Sequence, residues 1–138
     1  SLKKQNININ AKMNEIIKGN MFLGLLMPAL EKVIQLSYRT RIDSQATLAM
    51  LAIVQYQKQQ GKLPESLAVL VESGLLKEVP VDPYSDEPLV YKKQGDGFTL
   101  YSVGANFTDD GGVPDADKDG NPRNWGESGD RVFWPVRD

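Results

Sequence analysis

The apolar positions of the chain fall into two regimes, helical first and strand-like after. Residues 1–10 are polar and rich in Asn and Lys; Met13, Ile16 and Ile17 then recur at helical spacing. Gly19-Asn20 weakens that segment, and the run Met21 to Leu30 resumes it with Gly24 and Pro28 inside. Proline removes a backbone donor and clashes with the preceding turn, so a kink or break is expected near Gly24–Pro28. A long helix is predicted from about Ala29 to Gln60. Ile42, Ala46, Ala49, Ile53 and Tyr56 follow i, i+4, i+7, i+11, i+14 spacing and define one buried face. Ala46 to Val54 is apolar almost all round, which predicts burial on more than one side. Gly61 ends the helix. Pro64-Glu65 open a short second helix with Leu67, Leu70 and Val71 on its apolar face, and Gly74 stops it. Leu75 and Leu76 are expected to return to the core.

After that the period changes to two. Pro80, Pro83 and Pro88 fix an extended, turning connection that cannot be a central strand. Leu89–Lys93 and Phe98–Val103 alternate, and Gln94-Gly-Asp-Gly97 between them is a hairpin signal. Leu89 and Tyr91, facing Phe98, Leu100 or Tyr101 and Val103, put one face of the hairpin on the long helix. Residues 108–129 form an acidic, Gly-rich loop, and Arg131 to Trp134 close the chain as a strand before Pro135. The fold class is therefore α+β: a long N-terminal helix packed on a small antiparallel sheet. Residues 1–40 are read as an N-terminal extension and helix stem, and 41–138 as the globular domain.

Composition narrows the chemistry. A chain of 138 residues, 41% hydrophobic and 25% charged, is one domain able to bury a core. With no Cys and no His, cysteine nucleophiles, Ser-His-Asp triads and zinc sites built on these residues are excluded. Ser85 and Ser102 have no base partner. The Asp109/Asp110 pair has no pocket signal, and Gly104–Gly112 lacks a phosphate-loop spacing. The chain is accordingly read as non-enzymatic. The apolar run Met21–Leu30 is about half the roughly 20 residues that a spanning helix needs. Residues 1–60 hold eight basic against three acidic side chains, and residues 61–138 hold eight against fifteen. That polarity suits head-to-tail contact between copies or a cation site in the acidic half, while the net charge of −2 and the lack of an RNA- or DNA-binding signature argue against a nucleic-acid partner. For the charge asymmetry taken alone, a solvated surface is the favoured reading.

The candidate chemistry lies in the acidic loop. Asp109, Asp110, Asp115, Asp117, Asp119, Glu127 and Asp130 crowd together, and so many carboxylates repel unless they are solvated or share a cation. Hard oxygen ligands suit Ca²⁺. Asp115-Ala-Asp117-Lys-Asp119-Gly120 is the front half of an EF-hand-type loop. Its twelfth position is Gly126, with Glu127 one place late, and Pro114 and Pro122 leave no room for flanking helices. An ion here would order a loop of more than 20 residues with little core of its own. The other reading is a solvated loop without an ion. Trp125, Phe133 and Trp134 are read as packing residues; displayed on the surface, they would instead serve a calcium-dependent surface binding or adhesion module.

A family resemblance covers roughly residues 42–134. Gly61-Lys-Leu-Pro64, Leu76-Lys-Glu-Val-Pro80, Asp82-Pro83, Tyr91, Phe98-Thr-Leu-Tyr-Ser-Val-Gly-Ala-Asn106, Asp110-Gly-Gly112 and Gly129-Asp-Arg-Val-Phe-Trp134 occur in an order that resembles the globular domain of the major pseudopilin of type II secretion systems. The resemblance implies a structural subunit of a secretion or envelope complex, outside the cytoplasm and associating through its N-terminal helix with copies of itself or with other envelope proteins. It also implies structural Ca²⁺ held by the Val103 carbonyl, Asn106 and Asp130; Asp110 is a further candidate ligand. Asn106 stands where the family has Asp, and the loop is longer than the family's, with Asp115, Asp117 and Asp119 inside the extra length. One site with replaced ligands and two separate sites are both open. Residues 1–20 carry neither the family's Gly-Phe-Thr-Leu-Ile-Glu-like cleavage motif nor its continuous apolar helix. The expectation is therefore a pseudopilin-like domain at the C-terminal end of a larger envelope protein, with any membrane anchor upstream.

Overall fold

The computed structural model describes residues 21–135. The helical spacing noted at Met13–Ile17 lies outside these residues. Helix α1 runs from Met21 to Gln60 with Pro28 inside it, so of the kink or break expected near Gly24–Pro28 the break does not occur. An interior proline removes one i→i−4 bond, and at this exposed position water can serve the freed carbonyl.

The first fully buried side chain of α1 is Ile42; Ala46, Ala49, Ala52 and Ile53 complete its core face, and Tyr56 packs at its edge. Leu48, Leu51 and Val54 stay exposed, so this half of the helix is covered on one side only. The sheet is too small to wrap further round it. After Gly61, Pro64 is buried and its carbonyl accepts a hydrogen bond from Tyr91 Oη at 2.8 Å, tying the connection to the hairpin. Helix α2, Leu67–Glu72, buries Leu67 and Leu70. It ends where Leu75 and Leu76 donate their N–H groups to the Leu70 carbonyl and turn back onto the core.

Strands β1 (Val90–Gln94) and β2 (Gly97–Ser102) form the hairpin, with Gln94 opposite Gly97 and Gly95 at φ +57° in the turn. Two further strands, β3 (Asp115–Ala116) and β4 (Pro122–Arg123), pair as a small ribbon within the acidic loop. Strand β5 (Arg131–Trp134) pairs antiparallel with β2, giving the order β1-β2-β5, with a register shift between Leu100 and Tyr101. Strand β2 is therefore central and buried on both faces. Phe98 and Leu100 join the core shared with α1, while the Tyr101 ring lies against Gly112 of the acidic loop. The described residues thus show an α+β fold with one long helix, a three-stranded sheet, and the long loop laid over the sheet's outer face.

Candidate functional site

The site lies where the end of β2 meets the start of β5. Ser102 and Val103 are buried there, and the chain turns at Gly104 (φ +71°). A Cβ at Gly104 would meet the Gly129 carbonyl oxygen at 2.7 Å, so glycine alone lets the two ends of the loop approach this closely. Asp130, only 2% exposed, anchors the crossing. Its Oδ1 accepts from Asp110 N at 3.2 Å and its Oδ2 from Gly112 N at 2.6 Å, while Asp130 N donates to the Val113 carbonyl at 2.8 Å. Burial pushes the Asp130 carboxyl above its ordinary range, the two N–H donors oppose this, and Asp109 and Asp110 push it further up.

Asn106 joins the same group. Its Oδ1 accepts from Thr108 N at 3.1 Å, and its Nδ2 donates to Asp110 Oδ2 at 2.7 Å. The amide nitrogen thus faces a carboxylate, where it supplies part of the positive potential that a cation would. Asp109 lies to one side, accepting from Gly111 N and from Tyr101 Oη, each at 2.8 Å. The Gly111 N–H first, and the Tyr101 hydroxyl second, hold its carboxyl below the ordinary range.

The second acidic set sits apart in the ribbon. Asp115 Oδ1 accepts from Ser128 Oγ at 2.8 Å and Ala116 N at 2.9 Å, and Arg123 lies 3.8 Å from Oδ2. Asp117 Oδ1 accepts from Asp119 N and Asn121 N, each at 2.9 Å, closing its own turn. Asp119 is exposed at the tip. Asn106, Asp110 and Asp130 are therefore linked through consecutive hydrogen bonds beside Val103, while Asp115, Asp117 and Asp119 serve a separate turn. No group of three or more Asp, Glu, His or Cys placed to hold a metal ion occurs among the described residues. The set around Asp130 comprises two carboxylates and one amide, with the Asn106 nitrogen turned toward Asp110 and both Asp130 oxygens already accepting backbone N–H groups.

No protein-family model matches the chain. Searches of curated proteins and of solved structures give no match either.

Two features were missed by sequence reasoning. The first is Asp82, fully buried, whose Oδ1 accepts from Tyr84 N at 3.0 Å and whose Oδ2 accepts from Val103 N at 2.9 Å. It joins the 80–88 turn to the start of the site, and burial pushes its carboxyl up against the lowering effect of these donors. The Asp82-Pro83 pair in a proline-rich connection was the available signal. The second is a clamp on Trp125. The Arg39 and Arg131 guanidiniums lie 5.2 and 5.5 Å from its ring centroid, and Tyr84 packs at 6.1 Å. Arg131 also reaches Asp43 on α1 at 3.2 Å. Trp125 within the loop, and Phe107 just before it, pack against the domain's core, so the loop is attached to that core through its aromatic side chains. Trp134 stacks on Phe98 at 5.6 Å.

Proposed function

We propose that this chain is a non-enzymatic assembly domain, pseudopilin-like, that works in a type II secretion or related cell-envelope complex outside the cytoplasm and docks through its long N-terminal helix. In this reading Ca²⁺ is held by the Val103 carbonyl, Asn106, Asp110 and Asp130, where it neutralises the acidic cluster and fixes the loop on the sheet. The observation that supports it best is the gathering of Asn106, Asp110 and Asp130 over the Gly104 turn, with a nearly fully buried carboxylate at its centre. The exposed apolar stem of α1 supports docking through the helix. Asp115, Asp117 and Asp119 are assigned to the shape of the ribbon. The adhesion reading gains nothing, because Trp125 is clamped between arginines and Trp134 stacks on Phe98.

Thermal melts of the wild type and of N106D, each with excess Ca²⁺ and with EDTA, test the metal. At a free Ca²⁺ concentration of about 100 Kd the ion adds about 2.7 kcal/mol. The expected result is a higher melting temperature with Ca²⁺ in the wild type and a larger calcium-dependent rise in N106D, which gains a charged ligand. If both proteins melt identically with and without chelator, the Asn106 amide and the N–H donors are the whole of the site's neutralisation and the calcium reading is wrong.

A further inference from the structure

Helix α1 carries a second stripe, opposite its core face. Leu26, Ala29, Val33, Leu36, Thr40, Ser44, Thr47 and Leu51 recur at steps of three and four residues and are all exposed, with the large apolar members 41–64% accessible. The stripe is about 38 Å long at 1.5 Å per residue. The stripe is apolar from Leu26 to Leu36 and again at Leu51, with hydroxyl residues at Thr40, Ser44 and Thr47 between, and exposed apolar side chains aligned on one helix face mark a contact site. Its polar members are prepared for burial. Thr40, Ser44 and Thr47, with Ser37 alongside, donate their hydroxyls to the carbonyls of Leu36, Thr40, Asp43 and Ile34 at 2.7–2.9 Å. Covering the stripe therefore leaves no hydroxyl donor unpaired.

We infer that the stripe is covered by α1 of a second copy running antiparallel, about a twofold axis near residue 38. This rests on the reading of α1 as the docking element, and names its partner and direction. The spacing is close to palindromic about that point, so the axis brings Leu26 against Leu51, Ala29 against Thr47, Val33 against Ser44 and Leu36 against Thr40. The apolar stem of each copy then covers the bare outer face of the other copy's globular half, where Leu48 and Leu51 are exposed. The flanking charges agree. Lys32 and Asp43 are eleven residues apart, three helical turns, and so lie on the same edge of the stripe. The same axis sets Lys32 of each copy beside Asp43 of the other, twice, and the Asp43 side chain keeps 43% of its surface exposed beside Arg131. A parallel pair sets Lys32 level with Lys32 and Asp43 level with Asp43, about 16 Å along the helix from their complements. The core face of α1 points away from the stripe, so the sheets of the two copies do not compete for the contact.

The chain has no cysteine, which makes the test direct. Light scattering of the whole 138-residue chain should give a dimer, and Leu36→Asp should give a monomer with an unchanged globular melt, because Leu36 lies outside the core cluster. Lys32→Asp should weaken dimerisation about fivefold, as expected for an exposed ion pair. L26C and L51C, oxidised separately, should stay uncrosslinked, and their mixture should form disulfide dimers. A disulfide dimer from L26C alone overturns the antiparallel arrangement and leaves docking through α1 standing. A wild-type chain that is monomeric at about 100 µM overturns pairing with a second copy altogether and leaves α1 to dock on a different envelope protein.

Discussion

Replacing Asp82 by alanine removes one carboxylate and strands two buried donors. Tyr84 N and Val103 N, now bonded at 3.0 and 2.9 Å, lose their acceptors in a site with no solvent access. Each unsatisfied buried N–H costs about 1–3 kcal/mol. Against this, the variant no longer buries an ionisable group, which recovers part of a desolvation cost of several kcal/mol. We expect a net loss of about 2–4 kcal/mol, or about 7–14 °C in melting temperature for a domain of this size. Urea titration followed by circular dichroism and tryptophan fluorescence measures it. A loss below about 0.5 kcal/mol would mean that the turn holds itself, and would refute the role given to the carboxylate. The same pair of proteins reports which force dominates at Asp82. Burial raises its folded pKa above the ordinary value of 3.8. The folded state then binds the proton more tightly than the unfolded state, so the contribution of Asp82 to stability falls as pH rises from about 3.8 through the folded value, and is flat above it. The stability gap between wild type and D82A should therefore be widest at acid pH and narrow on the way to neutrality. A gap that widens instead would show that the N–H donors outweigh burial.

Other outcomes follow from the loop. Trp125→Ala should cost about 2–4 kcal/mol and should expose residues 104–129 to proteolysis before the sheet unfolds, because the ring joins Arg39 of α1 to Arg131 of β5; uniform cleavage kinetics in variant and wild type would count against the clamp. Gly104→Ala should lose at least about 1–3 kcal/mol in a chemical denaturation series, since it combines φ +71° with a Cβ 2.7 Å from the Gly129 oxygen. Gly111→Ala, also at positive φ but with open space around it, should lose less than Gly104→Ala.

Much of the fold was legible because its elements obey a single period. Ile42, Ala46, Ala49 and Ile53 declare the core face of α1, and Gly95-Asp96 between alternating runs declares the hairpin. The failures share a cause: local sequence does not report what covers a surface. Ala46–Val54 reads as wrapped on several sides, yet the small sheet leaves Leu48, Leu51 and Val54 bare. Pro28 reads as a kink or break, yet the helix continues through it on an exposed turn. At the site, the density of carboxylates was plain, but the division of labour was not. Asp117 closes its own turn and Asp130 gathers N–H groups from residues 18 and 20 positions away, which is a matter of tertiary placement. Asp82 was hidden for the same reason, since its partner Val103 lies 21 residues downstream.

The ribbon of β3 and β4 has a consequence for how this domain tolerates change. Its tip, residues 117–121, is closed by bonds among its own residues, with Asp117 N reaching the Asn121 carbonyl and Gly120 N the Asp117 carbonyl, and it faces water. Lengthening a surface turn costs only about 0.6 kcal/mol per doubling. An epitope or fluorophore-bearing peptide spliced between Lys118 and Asp119 would therefore ride outside the body of the protein, leaving the Asp130 crossing and the Trp125 clamp untouched.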